Sequence, residues 1–188
     1  MMDLAKLSLR YRPDYLVIGE VRGKEIEALV HASASGHGSI TTFHGSRPTD
    51  AVTRITDLLS NDLAKLFLQT VWAFVVVGNV KEGNNSRRSV LSIYEVVTSK
   101  SKVGFKRVIE WSYMKTRFTP TTVEELIKKS SLLRKLKENY NVDLQNELNR
   151  RIKFLQDLQN SKVIGFEEVS QKVLEFYDTG GKVEMASM

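Results

Sequence analysis

Apolar side chains come first in short unbroken runs and later in stripes spaced three or four residues apart. Leu4, Leu7, Ser8 and Tyr11 fall at helical spacing, and Pro13 ends that short helix. Tyr15 to Ile18 is a continuous apolar run, the signature of a strand covered on both faces. From Lys24 to Ser35, Ile26, Leu29 and Val30 with the small Ala32 and Ala34 mark a packed helix. Gly36-His37-Gly38 then turns the chain, and Ser39 to His44 reads as a second strand. The connection suits a crossover helix and is too long for a hairpin, so the two strands are expected to run parallel.

Beyond Gly45, Ser46 is placed as a helix cap and Pro48 as an early helical residue, ahead of an apolar face of Val52, Ile55, Leu58 and Leu59. A short helix follows from Asp62 to about Gln69. Val71 to Val80 and Ser89 to Val97 read as two strands of a hairpin around the turn Lys81 to Ser86, with a third strand over Phe105 to Trp111. The final third turns helical. Thr122 and Glu125 form a capping-box pattern ahead of Leu126, Ile127, Leu132, Leu133 and Leu136, and Asn139-Tyr140-Asn141 breaks the run. Leu144, Leu148, Ile152 and Leu155 make the next stripe, and Val169, Val173, Phe176 and Tyr177 the last. Three regions result: an α/β and hairpin part over 1–120, a helical part over 121–178, and a disordered tail over 179–188.

Composition narrows the function classes. At 188 residues the chain holds one substantial domain with or without a small appendage. It has no long uncharged apolar run and no secretory signal, and a cytoplasmic address is expected. The absence of cysteine removes disulfides, thiolate zinc sites and thiol nucleophiles. Net charge is +6, and residues 61–120 hold all of the excess, with 10 Lys and Arg against 4 Asp and Glu. Lys81, Arg87, Arg88, Lys100, Lys102, Lys106, Arg107, Lys115 and Arg117 make up this basic stretch. Such a surface suits phosphates, acidic lipids or an acidic protein, and charge does not choose among them.

The strand ends carry the chemistry, because open α/β sheets bind ligands where their strands finish. Glu20 stands directly after the first strand, beyond Gly19, which would let a ligand or water approach the backbone. A carboxylate at that place in nucleotide hydrolases holds Mg2+ through water or activates the attacking water. The plainer reading is a solvated acid. Arg22, two residues on, pairs with Glu20, holds a neighbouring helix or reaches a phosphate. His44, beside Thr41 and Thr42 at the end of the second strand, is placed to hydrogen-bond a terminal phosphate. His31 reads as a packing or surface residue and His37 as a turn-stabilising one. The three histidines are not spaced as a metal site.

Arg12 to Gly45 resembles the secretion ATPase superfamily of type II and type IV systems, hexameric motors of pilus, archaeal flagellum and secretion machines. The run ending in Gly19-Glu20-Val21-Arg22 looks like that family's atypical Walker B, and Ile40-Thr41-Thr42-Phe43-His44-Gly45 looks like its His box. Ser35-Gly36-His37-Gly38 matches the segment between them. Arg87 to Val96, Leu148 to Arg151 and Phe166 to Val169 are similar to archaeal members, so the likeness runs from about Leu4 to about Tyr177.

The resemblance implies a partial RecA-like (P-loop NTPase) parallel sheet with a β-hairpin extension and a C-terminal helical subdomain. It implies Glu20, His44 and Arg22 as catalytic residues, Gly19 and Thr42 as nucleotide-binding, and no direct metal ligand, with Glu20 reaching Mg2+ through water. ATP and Mg2+ are the cofactors of the complete enzyme, and a homohexamer docked on an inner-membrane platform protein is its assembly. The phosphate loop G-x-x-x-x-G-K-[ST] does not occur here, since Gly23-Lys24 and Gly181-Lys182 are followed by Glu25 and Val183. The chain is therefore expected to be a C-terminal fragment of such a motor, monomeric and inactive alone, with no bound cofactor. The alternative is a non-enzymatic basic module in which Phe105, Trp111, Tyr113 and Phe118 serve nucleic acid or an acidic protein.

Overall fold

The computed structural model describes residues 2–82, 85–99 and 102–178, so the expected disordered tail lies outside the described residues. Its contacts divide the chain into one unit ending at Thr119 and another beginning at Pro120.

The first unit opens with α1 (Met2–Arg10), β1 (Tyr15–Ile18), α2 (Ile26–Ala34) and β2 (Gly38–Thr41). β1 and β2 pair in parallel, with Tyr15 opposite Gly38 and Ile18 opposite Thr41, so the α/β crossover is borne out. Glu25 fixes the entry to α2 by accepting the backbone N–H groups of Arg22 and Gly23 at 2.6 and 2.9 Å. At the exit, His37 N–H reaches the Ala32 carbonyl while Gly36 adopts φ +86°, the left-handed cap that glycine tolerates.

α3 (Pro48–Leu58) and α4 (Asn61–Thr70) complete this layer. Ile26, Leu29 and Ile55 are fully enclosed, and Leu16, Ile18, Phe67 and Leu68 pack with them. Two sequence expectations change here. β1 is covered on one face only: Leu16 and Ile18 are buried, but Tyr15 and Val17 are exposed, because the helices lie to one side of a two-stranded sheet. Ser46 is not the cap of α3. That place falls to Arg47, and Asp50 accepts the N–H groups of both Ser46 and Arg47 at 3.0 Å.

A four-stranded antiparallel sheet follows, in the order β3 (Ala73–Glu82), β4 (Asn85–Ser99), β5 (Lys102–Ser112), β6 (Arg117–Thr119). The hairpin is longer than the sequence suggested, and β6 was not anticipated, because three residues leave no periodicity to read. Register shifts near Val76 and Ile93 mark irregularities in the pairing. Phe74 meets Phe105 edge-on at 5.6 Å, and both Phe74 and Val103 rest on the core of the first layer.

The second unit consists of α5 (Val123–Lys129), α6 (Ser131–Tyr140), α7 (Leu144–Asn160) and α8 (Phe166–Phe176). Thr122 caps α5 by accepting Glu125 N–H, as its spacing predicts. The single helix expected up to Asn139 is divided at Ser130, which ends α5 and caps α6 by accepting Leu133 N–H. Asn141 closes α6 in the left-handed region at φ 47°. Phe154 and Phe176 hold α7 and α8 together with ring centroids 4.5 Å apart, and Arg150 lies over Phe176 at 4.3 Å. Among the described residues, no helix is long and apolar enough to cross a membrane.

Candidate functional site

Parallel pairing dictates where the two singled-out groups meet. Ile18 and Thr41 are the last register partners of β1 and β2, and Glu20 and His44 lie two and three residues beyond them. Both therefore emerge at the same rim. The chains also stay joined past the strand ends: Thr42 Oγ1 donates to the Gly19 carbonyl at 2.5 Å, and Val21 N–H donates to the Thr42 carbonyl at 3.2 Å. Val21 is buried, so Glu20 sits between a stapled residue and an anchored one.

The Glu20 carboxylate is bracketed. Arg22 Nη2 lies 2.7 Å from Oε2, and His44 Nε2 lies 2.6 Å from Oε1. Glu20 is the recessed member at 27% side-chain exposure, against 72% for Arg22 and 78% for His44. Oε1 is closed to solvent and has no aligned hydrogen-bond donor, although His44 is within hydrogen-bonding distance. The Arg22 hydrogen bond holds the Glu20 carboxyl below the usual carboxylate range, opposed by desolvation and aided by the charges of Arg22 and His44.

The remaining candidates separate clearly. Gly19 has open space where a side chain would stand, so a ligand could approach its backbone. Thr42 donates its hydroxyl to Gly19 and acts as the staple described above. His31 is exposed on α2. His37 lies at the opposite end of the strands, with Nδ1 3.1 Å from Ser35 Oγ in the Gly36 turn. No group of three or more potential metal ligands exists among the described residues. Glu25 was missed from sequence, because the capping box calls for a short polar residue three positions earlier, where this chain has Arg22.

The basic sheet presents little stacking surface. Trp111 is buried against Phe118 with ring centroids at 5.0 Å, and Phe105 is turned onto Phe74. Tyr113 is exposed.

The sequence model of a family described as type II/IV secretion system protein matches residues 1–77. An uncharacterized protein of Methanocaldococcus jannaschii is 34% identical over 183 residues, covering 94% of this chain and 64% of that protein. The type IV secretion system protein PtlH of Bordetella pertussis is 29% identical over 102 residues, covering 49% of this chain and 30% of PtlH. The structure of the Legionella pneumophila ATPase DotB superposes with a TM-score of 0.39 at 18% identity, over 93% of this chain and 42% of DotB, a likeness too distant to carry an argument. The chain spans less than two thirds of the length of each of these proteins.

Proposed function

We propose that this chain, whose residues 1–77 match the sequence model of the type II/IV secretion system protein family, supplies the water-activating and phosphate-sensing rim of an ATP-driven secretion or pilus-assembly motor. One observation carries the reading: within the matched segment, a recessed carboxylate is held between a guanidinium and an imidazole where two parallel strands finish.

The residues fit one end of a nucleotide. Arg22 and His44 are exposed cation-forming groups suited to a terminal phosphate, and the open backbone at Gly19 admits it. Bound MgATP supplies the phosphoryl group, and the backbone cradle for its other phosphates comes from outside these 188 residues. Glu20 orients the attacking water and accepts its proton at a carboxylate oxygen once its cationic partners turn to phosphate. Glu20 would also hold Mg2+ through water, where the ion would neutralise charge on the phosphates. Arg22 and His44 report whether the terminal phosphate is present, and Thr42 and Val21 keep Glu20 aimed. In the complete machine the subunit works as a RecA-like homohexamer against an inner-membrane platform protein, on the cytoplasmic side. Alone, the 188 residues are monomeric and turn over no ATP.

A protein joining these residues to a phosphate-binding loop of the family provides the test. Glu20→Gln should lower its ATP turnover by about 10²-fold or more, as removal of a general base does. Turnover unchanged by that substitution would refute the role given to Glu20. The nucleic-acid alternative gains no support, since Trp111, Phe105 and Phe118 are engaged with other side chains.

A further inference from the structure

The β5–β6 turn, outside the segment that matches the family, borders an open hollow of 360 Å³ lined by Glu110, Trp111, Ser112, Tyr113, Met114, Lys115 and Thr119. Trp111 is 7% exposed, and its Nε1 is buried without a hydrogen-bond partner. A buried donor left unpaired is costly, so an indole N–H in such a place calls for an acceptor. The ring is held in place, with Phe118 edge-on at 5.0 Å and the Arg87 guanidinium over it at 5.5 Å. The turn is defined as well: Lys115 N–H donates to Ser112 Oγ at 3.3 Å, and Thr116 stands at φ 47°.

We propose that this hollow binds a carboxylate side chain presented by an acidic segment of a partner protein. Its lining offers the Lys115 ammonium and the hydroxyls of Ser112, Tyr113 and Thr119 beside Trp111, whose closed N–H an anion reaches once the exposed turn residues shift, while Glu110, also in the lining, is paired with Arg107. A donor-rich, cation-bearing lining selects an anion. Tyr113 and Met114, the latter 98% exposed, form an apolar rim that suits the flanks of a peptide. β3 ends and β4 begins at this same end of the antiparallel sheet, and Lys81, Arg87 and Arg88 on those strands extend the positive field towards an acidic partner. Base stacking is disfavoured, because Trp111 already meets Phe118 and Arg87.

The probe is an acetylated, amidated tetraglutamate, with tetraglutamine, inorganic phosphate and a short single-stranded oligonucleotide as comparators. The readout is the Trp111 indole N–H resonance, with exposed Trp72 as internal control, assigned through Trp72→Phe. Tetraglutamate should move the Trp111 signal saturably and leave Trp72 in place. Lys115→Ala, an exposed change, should weaken binding about tenfold, as loss of one charge-assisted hydrogen bond does. A Trp111 signal unmoved by tetraglutamate would overturn the proposal. So would equal responses to tetraglutamine, to phosphate or to the oligonucleotide. The nucleotide rim is untouched by this test, so the two readings fail separately.

Discussion

Glu20 shows how two short contacts set the chemistry of one side chain. Its carboxyl is held below the ordinary range first by the Arg22 hydrogen bond. A depressed folded pKa means the pairing stabilises the folded state above the unfolded pKa, about 4.3 for Glu, and is lost as pH falls through the folded value. Arg22→Ala should therefore move the Glu20 carboxyl titration upward, measured from its side-chain carbon resonance. An unmoved titration would show that the Arg22 contact does not form in solution. The same low pKa makes Glu20 a weak base while both partners are in place, consistent with a group released only when phosphate draws them away. Glu20, Arg22 and His44 were legible because each follows the end of β1 or β2 within four residues. Thr42 was expected to bind nucleotide because the family resemblance implies it. Its bond to Gly19 crosses 23 positions, which no local pattern reveals.

Elements were readable where periodicity and caps agreed. α2, α4, α8 and the parallel pair follow their apolar spacing closely. The departures arise where one residue serves two neighbours or too few residues carry a pattern. Ser130 ends one helix and starts the next inside an otherwise continuous stripe, and β6 exists only through its pairing with β5. The apolar run of β1 promised burial on both faces, yet the side chains of Tyr15 and Val17 meet no covering layer among the described residues. The turn into β2 rests on Gly36 at φ +86°. Gly36→Ala should destabilise the protein by about 1–2 kcal/mol, the cost of a left-handed conformation for a residue with a Cβ. Chemical denaturation measures it, and an unchanged midpoint would mean the turn relaxes freely.

Three parts make up the described chain: an α/β layer and a long antiparallel sheet in the unit up to Thr119, and four helices in the unit from Pro120. The first carries the Glu20 rim, within the segment that matches the type II/IV secretion system family model, and the second carries the hollow at Trp111. Sequence gave the rim's place because strand direction forces Glu20 and His44 together. The Trp111 hollow was not legible, because burial of the indole depends on partners from β6 and β4. Whether the rim addresses phosphate is best decided on these 188 residues by following backbone and imidazole resonances during titration with MgATP. The account predicts saturable millimolar shifts at Glu20, Arg22 and His44, with His31 and His37 unmoved. Shifts confined to other surfaces, or none at the rim, would contradict it.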